Sequence, residues 1–248
     1  MNLIALRAVT VLVLCLPLQA LAGMAVDVEI RDRRSGRVLP VYWHDGERHV
    51  AGEPGREYEI RLRNRERRRV LAVTSVDGVN VITGRTASPS QSGYVLDPWG
   101  FLEIDGWRKS MDDVAAFYFT DLHDSYAART GRPDNVGVIG VALFREVSRP
   151  MPMEDEYVAR ADAAKAKASR PQSAHDREES RLGTGHGRRI DSGAVYTSFE
   201  RASGSPDEII RIYYDSRKNL VARGIIPPRW RFAGREPEPF PQAFVPDP

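Results

Sequence analysis

The chain has 248 residues, one cysteine and a formal net charge of +2, from 36 Lys and Arg against 34 Asp and Glu. This near balance argues against a strongly cationic nucleic-acid-binding protein, and the length suits one sizeable domain or two small ones. Because Cys15 lies in an N-terminal apolar stretch, the rest of the sequence offers no disulfide, thiol nucleophile or cysteine-ligated metal.

Residues 1–22 have the pattern of a secretory leader. Arg7 supplies a positive charge, Ala8–Leu18 is an apolar segment too short to span a bilayer, and a small-residue cleavage site ends at Ala22. We therefore predict a signal peptide over residues 1–22. The protein is then exported (periplasmic, on the outer surface or secreted), with no transmembrane anchor once the leader is cleaved. The alternative is that the apolar segment stays as a membrane anchor.

Residues 23–147 have the pattern of short strands separated by turns. Polar and apolar residues alternate after Val26 and again after Arg56, which predicts half-buried strands. The Asp-Gly pair at 45–46 is a hairpin signal, and the pair at 77–78 favours a tight type I′ turn, in which both central residues have positive φ. Strands spaced by about ten residues predict an antiparallel β-sandwich or barrel-like domain.

The composition changes at Ser148, after which most residues are polar or charged. We predict a polar, flexible linker over residues 148–193. This segment contains the glycine-rich run Gly183–Gly187. A charged stretch precedes that run and Arg188 and Arg189 follow it, so the pattern of a phosphate-binding loop is incomplete.

Residues 194–226 predict a small ββα unit. Ala194–Ala202 alternates as a strand, Glu208–Tyr214 is a second strand, and a short helix ends before Gly224. Such a unit is too small to bury a core alone, so we expect it to pack on the first domain or on a partner. The fold class predicted is thus mainly β, and a proline-rich tail follows over residues 227–248.

Motifs for catalysis are missing from the sequence. The five histidines lack the spacing of a zinc site, and the G-x-S-x-G pattern of a serine hydrolase does not occur. A pair of glycosidase carboxylates leaves no local signature, so an enzyme stays possible. We predict no metal and no cofactor, assign no catalytic residue, and expect the histidines to lie on the surface or in turns.

Arginines form the strongest charge cluster in the sequence. If the predicted strand continues to Arg65, alternation places Arg61, Arg63 and Arg65 on one face. Their guanidinium groups could then bind phosphate or sulfate groups of an envelope polymer. The alternative is a solvated outer face that pairs across strands with Glu57 or Glu59.

Three aromatic residues complete the predicted binding set. Trp99 lies in a Pro-Trp-Gly turn and could stack on a sugar ring. Trp230 and Phe232 lie in the proline-rich tail, where they could anchor an extended segment in the groove of a partner. The alternative for the tail is that it covers a sheet edge of its own domain.

The runs VLAVTSVDGVNVITG, GYVLDPWGFLEIDGWR and NVGVIGVALFRE resemble an uncharacterised family of exported Gram-negative bacterial proteins. The resemblance covers roughly Val70–Glu146; it implies an envelope setting and no particular reaction, cofactor or catalytic residue. We expect a non-enzymatic protein that binds another protein or an anionic envelope polymer, and not nucleic acid. The alternative is an exported hydrolase that acts on an envelope polymer.

Overall fold

The computed structural model describes residues 25–148 and 181–228. The predicted leader, most of the predicted linker and nearly all of the predicted tail lie outside the described residues. The two α-helices within the described ranges have four and six residues, which is too short to cross a bilayer.

The described residues form thirteen strands and two α-helices. In chain order they are β1 (Val26–Asp32), β2 (Val41–His44), β3 (Glu47–Gly52), β4 (Glu57–Asn64), β5 (Val70–Val76), β6 (Val79–Asn80), β7 (Tyr94–Leu96), β8 (Phe101–Ile104), β9 (Gly106–Arg108), β10 (Asp113–Asp121), α1 (Tyr126–Arg129), β11 (Val138–Arg145), β12 (Leu182–Asp191), β13 (Glu208–Ser216) and α2 (Arg217–Ala222).

The strands belong to two sheets. Sheet 1 has the order β1-β4-β10-β12, with β8 paired to β4 and β9 paired to β10. Sheet 2 has the order β2-β3-β13-β11-β5-β6, with β7 paired to β5. All pairs are antiparallel except β13 with β3. With 49% strand and 9% helix, the mainly β prediction is confirmed, and the two sheets do not close into a barrel.

The core lies between the sheets and follows the predicted alternation. Along β1 and β4 every second side chain is buried, and Ile30 is paired with Ile60 and Val28 with Leu62. Burial of one such side chain stabilises the fold by about 1.5–3 kcal/mol. The apolar stripes of the two sheets therefore supply the main driving force for their packing.

Both predicted Asp-Gly turns are confirmed. Asp45 and Gly46 have φ values of 50° and 77°, and Asp77 and Gly78 have values of 52° and 72°. They connect β2 to β3 and β5 to β6, where the positive φ values match the twist of the paired strands.

A buried polar network joins the sheets at the second of these turns. The Asp77 carboxylate accepts hydrogen bonds from the Tyr214 hydroxyl, from the Gly137 backbone N–H (2.9 Å) and from the Thr184 backbone N–H (2.8 Å). The Thr184 hydroxyl lies 2.6 Å from the Tyr214 hydroxyl and 2.7 Å from that of Tyr58. Since each hydroxyl has one hydrogen, the donors run in order from Tyr58 through Thr184 and Tyr214 to Asp77.

The four side chains of this network are at most 3% exposed. Burial raises the pKa of Asp77 to about 6, although the hydrogen bonds from Tyr214, Gly137 and Thr184 lower it. Burial also raises the pKa of Tyr58 and of Tyr214, and the nearby Asp77 carboxylate adds to both shifts. The network is closed to solvent, so its role is to hold β4 and β12 of sheet 1 against β13 and the β5–β6 turn of sheet 2.

The predicted flexible linker differs from the structure at its C-terminal end, because Leu182–Asp191 is strand β12 and pairs with β10. The glycines in this strand permit close packing. A Cβ atom on Gly185 would lie 2.2 Å from the Tyr118 ring, and one on Gly187 would lie 2.7 Å from the Ala116 carbonyl oxygen. The glycine-rich run is thus a strand face pressed against β10, not a loop.

The predicted strand Ala194–Ala202 is also different in the structure: these residues run extended without strand pairing, apart from one bridge from Arg201 to Glu146. They cross the outer face of sheet 2, where Phe199 packs on a small apolar cluster. The Arg201 guanidinium lies over the Phe144 ring at 4.1 Å and donates to the Pro89 and Gln91 carbonyl oxygens. Of the alternating residues in this segment only Phe199 packs against the sheet, whereas Val195 is 88% exposed.

The rest of the predicted ββα unit is built into sheet 2. The predicted second strand is confirmed as β13, and it lies between β3 and β11. Ser216 caps α2 by accepting a hydrogen bond from the Asn219 N–H at 3.2 Å. The helix packs over β2 and β3 through Leu220. Both sheets therefore include a strand from beyond residue 147, the predicted end of the first domain. Sheet 1 contains β12, and sheet 2 contains β13.

Asp77 gives the first testable prediction. Its carboxyl group titrates at about 6 in the folded protein, against the ordinary value of 3.8. The folded state therefore holds this proton more tightly. The contribution of Asp77 to the free energy of unfolding is full below about pH 4 and falls by about 3 kcal/mol as the pH rises past about 6.

Urea unfolding of the wild type and of Asp77→Asn at pH 4, 5, 6 and 7 measures this contribution. The free energy of unfolding of the wild type minus that of the variant should fall as the pH rises. Asp134→Asn changes an exposed carboxylate and is the matched control. A difference that stays constant with pH would contradict the assignment.

The position of β13 gives the second prediction. A chain truncated after Ser148 loses the strand between β3 and β11, together with the buried side chains of Ile210, Ile212 and Tyr214. We expect this chain to show no cooperative thermal transition by circular dichroism. A chain truncated after Pro228 keeps all thirteen strands and should melt within a few degrees of the full chain. Cooperative melting of the shorter chain would show that residues 23–148 fold alone.

Candidate functional site

An open pocket of about 580 Å³ lies where the β4–β5 loop, the β7–β8 turn and the end of β11 meet. Its lining consists of four arginines, one glutamate and one tryptophan. We call this set the arginine pocket: Arg65, Glu66, Arg67, Arg68, Trp99 and Arg145. The volume is within the range of small-ligand sites, and the positive lining suits an anion.

Asn64 holds the backbone around the arginine pocket. Its side chain is fully buried and its Nδ2 donates to the Arg68 and Asp97 carbonyl oxygens, each at 2.8 Å. Its Oδ1 accepts from the Glu66 N–H at 2.9 Å, and its own N–H donates to the Gly100 carbonyl oxygen at 2.9 Å. One side chain thus fixes the arginine loop and the tryptophan turn relative to each other.

The four arginines differ in how far their charge is already neutralised. The Arg145 Nε lies 3.0 Å from each Glu66 carboxylate oxygen, and these hydrogen bonds raise the pKa of Arg145. Arg65 donates to the Asp27 carboxylate at 2.6 Å. Arg67 makes no hydrogen bond or ion pair within the described residues. The Arg68 Nε is 3.9 Å from Glu66, and the Arg68 Nη1 donates a long hydrogen bond of 3.4 Å to the Ser148 hydroxyl. Arg67 and Arg68 therefore have donors left for a ligand.

Trp99 has an unusual backbone for its type. Its φ is 59°, and its side chain is 59% exposed. A bulky residue in the left-handed region is strained, and burial does not compensate here because most of the indole faces solvent. The Trp99 N–H donates to the Glu66 carbonyl oxygen at 3.2 Å, which places the ring beside the arginine loop. Strain of this kind is typical of a functional residue.

Two of the predicted site residues, Arg65 and Trp99, meet in the arginine pocket. Arg61 and Arg63 lie on the outer face of β4 instead. Arg61 lies over the Phe101 ring at 4.5 Å and 3.9 Å from a Glu103 oxygen. Arg63 is exposed on the same face.

The other aromatic residues do not line the arginine pocket as described. Trp230 and Phe232 lie outside the described residues. Trp107 is buried and donates from Nε1 to the Gly185 carbonyl oxygen at 3.1 Å, so its ring is not available to a ligand. The pocket thus has one aromatic side chain, Trp99, among its described lining.

The sequence patterns did not predict Asn64, Arg67, Arg68 or Arg145 as site residues. The strand ends at Asn64, and the five residues that follow it lack an apolar position. That loss of alternation was the available signal that the later arginines lie in a loop. Arg145 gave no local signal, since it reaches the site only through the pairing of β11 with β5.

A second pocket, of about 480 Å³, lies next to Arg69 and Phe199. Arg69 makes a two-pronged contact with the Glu146 carboxylate and donates to the Ser198 carbonyl oxygen at 3.1 Å. The hydrogen bonds that Arg69 donates to Glu146 raise the pKa of Arg69. Its guanidinium is occupied, so this pocket has less capacity for an anion than the arginine pocket.

Other ionisable groups in the described part of the chain offer no comparable site. His49 is 1% exposed, which corrects the expectation of surface or turn histidines, and it stacks on Tyr213 with ring centroids 5.6 Å apart. Burial lowers the pKa of His49, so the ring is neutral at pH 7. In residues 25–148 and 181–228 no three histidine or carboxylate side chains are placed to bind a metal ion.

Comparisons with protein-family models, with curated proteins and with solved structures gave no match for this chain. The site must therefore be interpreted from its own geometry.

The strain at Trp99 gives the third prediction. Trp99→Gly and Trp99→Ala both remove the indole, but only glycine relieves the left-handed backbone. We expect the glycine variant to be more stable than the alanine variant by about 1 kcal/mol, measured by urea unfolding. Trp43 is 64% exposed in strand β2, without positive φ, and is the matched control. There the order should reverse, with alanine more stable than glycine. The same order at both positions would show that Trp99 is not strained.

Proposed function

We propose that this chain is an exported, non-enzymatic binding protein whose arginine pocket captures an anionic polymer of the cell envelope. The observation that carries the proposal is the pair Arg67 and Arg68, whose guanidinium donors stay available beside two arginines that are already anchored. Export rests on the leader pattern of residues 1–22 and on the resemblance to exported Gram-negative proteins.

The anchored arginines prepare the site. Arg145 is held by Glu66 and by Asp207 at 3.1 Å, so its charge is offset by two carboxylates and its guanidinium group is a fixed part of the pocket wall. Arg67 and Arg68 lie on the loop that Asn64 fixes and are exposed. An anion can then receive forked hydrogen bonds from Arg67, which has no ion pair among the described residues, and from Arg68, whose ion pair there is the long 3.9 Å contact with Glu66.

The hydrolase alternative has less support among the described residues. The carboxyl group with the most strongly raised pKa, Asp77, is 1% exposed and its oxygens already accept three hydrogen bonds. A substrate could not reach it without separation of the two sheets. Binding at the arginine pocket needs no such change.

A charge-removal experiment tests the proposal. Polyphosphate is the probe, and its dissociation constant is measured with the full mature chain at low and at high salt. We expect the double variant Arg67→Gln/Arg68→Gln to weaken binding about tenfold at low salt, which corresponds to about 0.7 kcal/mol for each exposed contact. The difference should shrink at high salt because screening already weakens exposed charge pairs.

Arg34→Gln/Arg37→Gln is the matched control, because it removes the same charge from two exposed arginines in the turn after β1. It should change binding less than twofold. An equal loss in both double variants would mean that overall charge, not the arginine pocket, attracts the probe. Full binding by the Arg67 and Arg68 variant would overturn the proposed site.

A further inference from the structure

Trp99 stands at a fixed position on the rim of the arginine pocket. The Gly100 N–H donates to the Asp97 carbonyl oxygen at 3.0 Å, which closes the turn, and the Asn64 side chain holds the same carbonyl at 2.8 Å. The turn is therefore tied to the arginine loop from both sides. The indole projects into solvent from a backbone that is already ordered, so a ligand does not have to order it.

The chemistry of the pocket limits what can stack on that indole. A cation would be attracted to the ring face, but the neighbouring arginines repel it. The remaining ligands offer a flat or weakly polar face to the ring and a negative charge to Arg67 and Arg68. A sugar ring with a phosphate, sulfate or carboxylate group has both, because its C–H bonds form an apolar face.

A single-stranded nucleic acid also combines rings with negative charge, but the pocket suits it less well. Proteins that bind such strands use several aromatic side chains, on which successive bases stack. Trp99 alone is aromatic among the described residues that line the pocket. Phe101 is also exposed and lies two residues from Trp99, but the Arg61 guanidinium lies over its ring at 4.5 Å. The exposed Trp43 is on β2, three strands away from β11 in sheet 2. One stacking position in an open pocket fits one ring of a chain whose ends continue into solvent.

We infer that the ligand of the arginine pocket is a glycan that carries anionic groups, with Trp99 stacked on one sugar ring while Arg67 and Arg68 bind the attached anion. This inference rests on the proposed anion binding at the same site. It adds to the proposed function the chemical class of the polymer, a glycan. It also gives Trp99 a role in binding the sugar ring, which binding of the anion by the arginines does not require.

Four probes separate the contribution of sugar-ring stacking from that of negative charge. Dextran sulfate has sugar rings and negative charge, polyphosphate has negative charge only, and dextran has sugar rings only. Oligo-dT has bases and negative charge. Their dissociation constants are measured with the full mature chain and with Trp99→Ala, Trp99→Phe and Trp43→Ala. We expect Trp99→Ala to weaken dextran sulfate binding about tenfold and to change polyphosphate binding less than twofold, as expected for the loss of one stacked ring. Trp99→Phe should recover part of the loss, and Trp43→Ala should have no effect.

The outcomes distinguish this inference from the proposed function. If both anionic polymers bind and Trp99→Ala leaves both unchanged, the pocket binds anions and the sugar inference is overturned. Equal weakening of dextran sulfate and polyphosphate would also overturn it, since Trp99 would then only shape the pocket. Oligo-dT bound more tightly than dextran sulfate would assign the stacking to bases. If the wild type binds neither anionic polymer, the proposed function fails with the inference.

Discussion

The two sheets meet at one buried carboxylate, and much of the structure depends on it. Asp77 takes donors from the start of β11, from β12 and from β13, and the hydroxyl chain continues to Tyr58 on β4. A buried carboxylate that lost these donors would be strongly destabilising, so the sheets can pack only at the spacing that satisfies it. The arginine loop connects β4 of sheet 1 to β5 of sheet 2, so it also joins the two sheets that this network holds together.

Local patterns predicted the elements whose environment is local. Alternation predicted β1 and β4, and Asp-Gly pairs predicted two turns, because side-chain period and φ preference are properties of the segment itself. Strand β12 was not predicted, because its glycines are required by close packing against the Tyr118 ring and the Ala116 backbone of β10, which is distant in sequence. Glycines at every second position in this run were the remaining hint of an extended segment.

The candidate site was predictable in part for the same reason. An exposed tryptophan in a Pro-Trp-Gly turn is a local feature, and a cluster of arginines is visible in any reading of the chain. Which arginines act together is a tertiary property. Arg61 and Arg63 lie on the outer face of β4, outside the arginine pocket. Arg145 lies in the pocket because the end of β11 pairs with Val70 at the start of β5. The sequence contains the residues of the pocket without their grouping.

The place of β13 in sheet 2 has a consequence for how the chain folds. Its neighbours β3 and β11 are separated by about ninety residues of sequence and pair with β13, not with each other. Sheet 2 cannot be completed until residues 208–216 have been synthesised. Until then the edges of β3 and β11 are unpaired and its apolar face is exposed. Such a chain acquires its native order late, after most of its length is available. A chain that folds late stays unfolded for longer, and an unfolded chain is what a translocation channel would accept in the export proposed above.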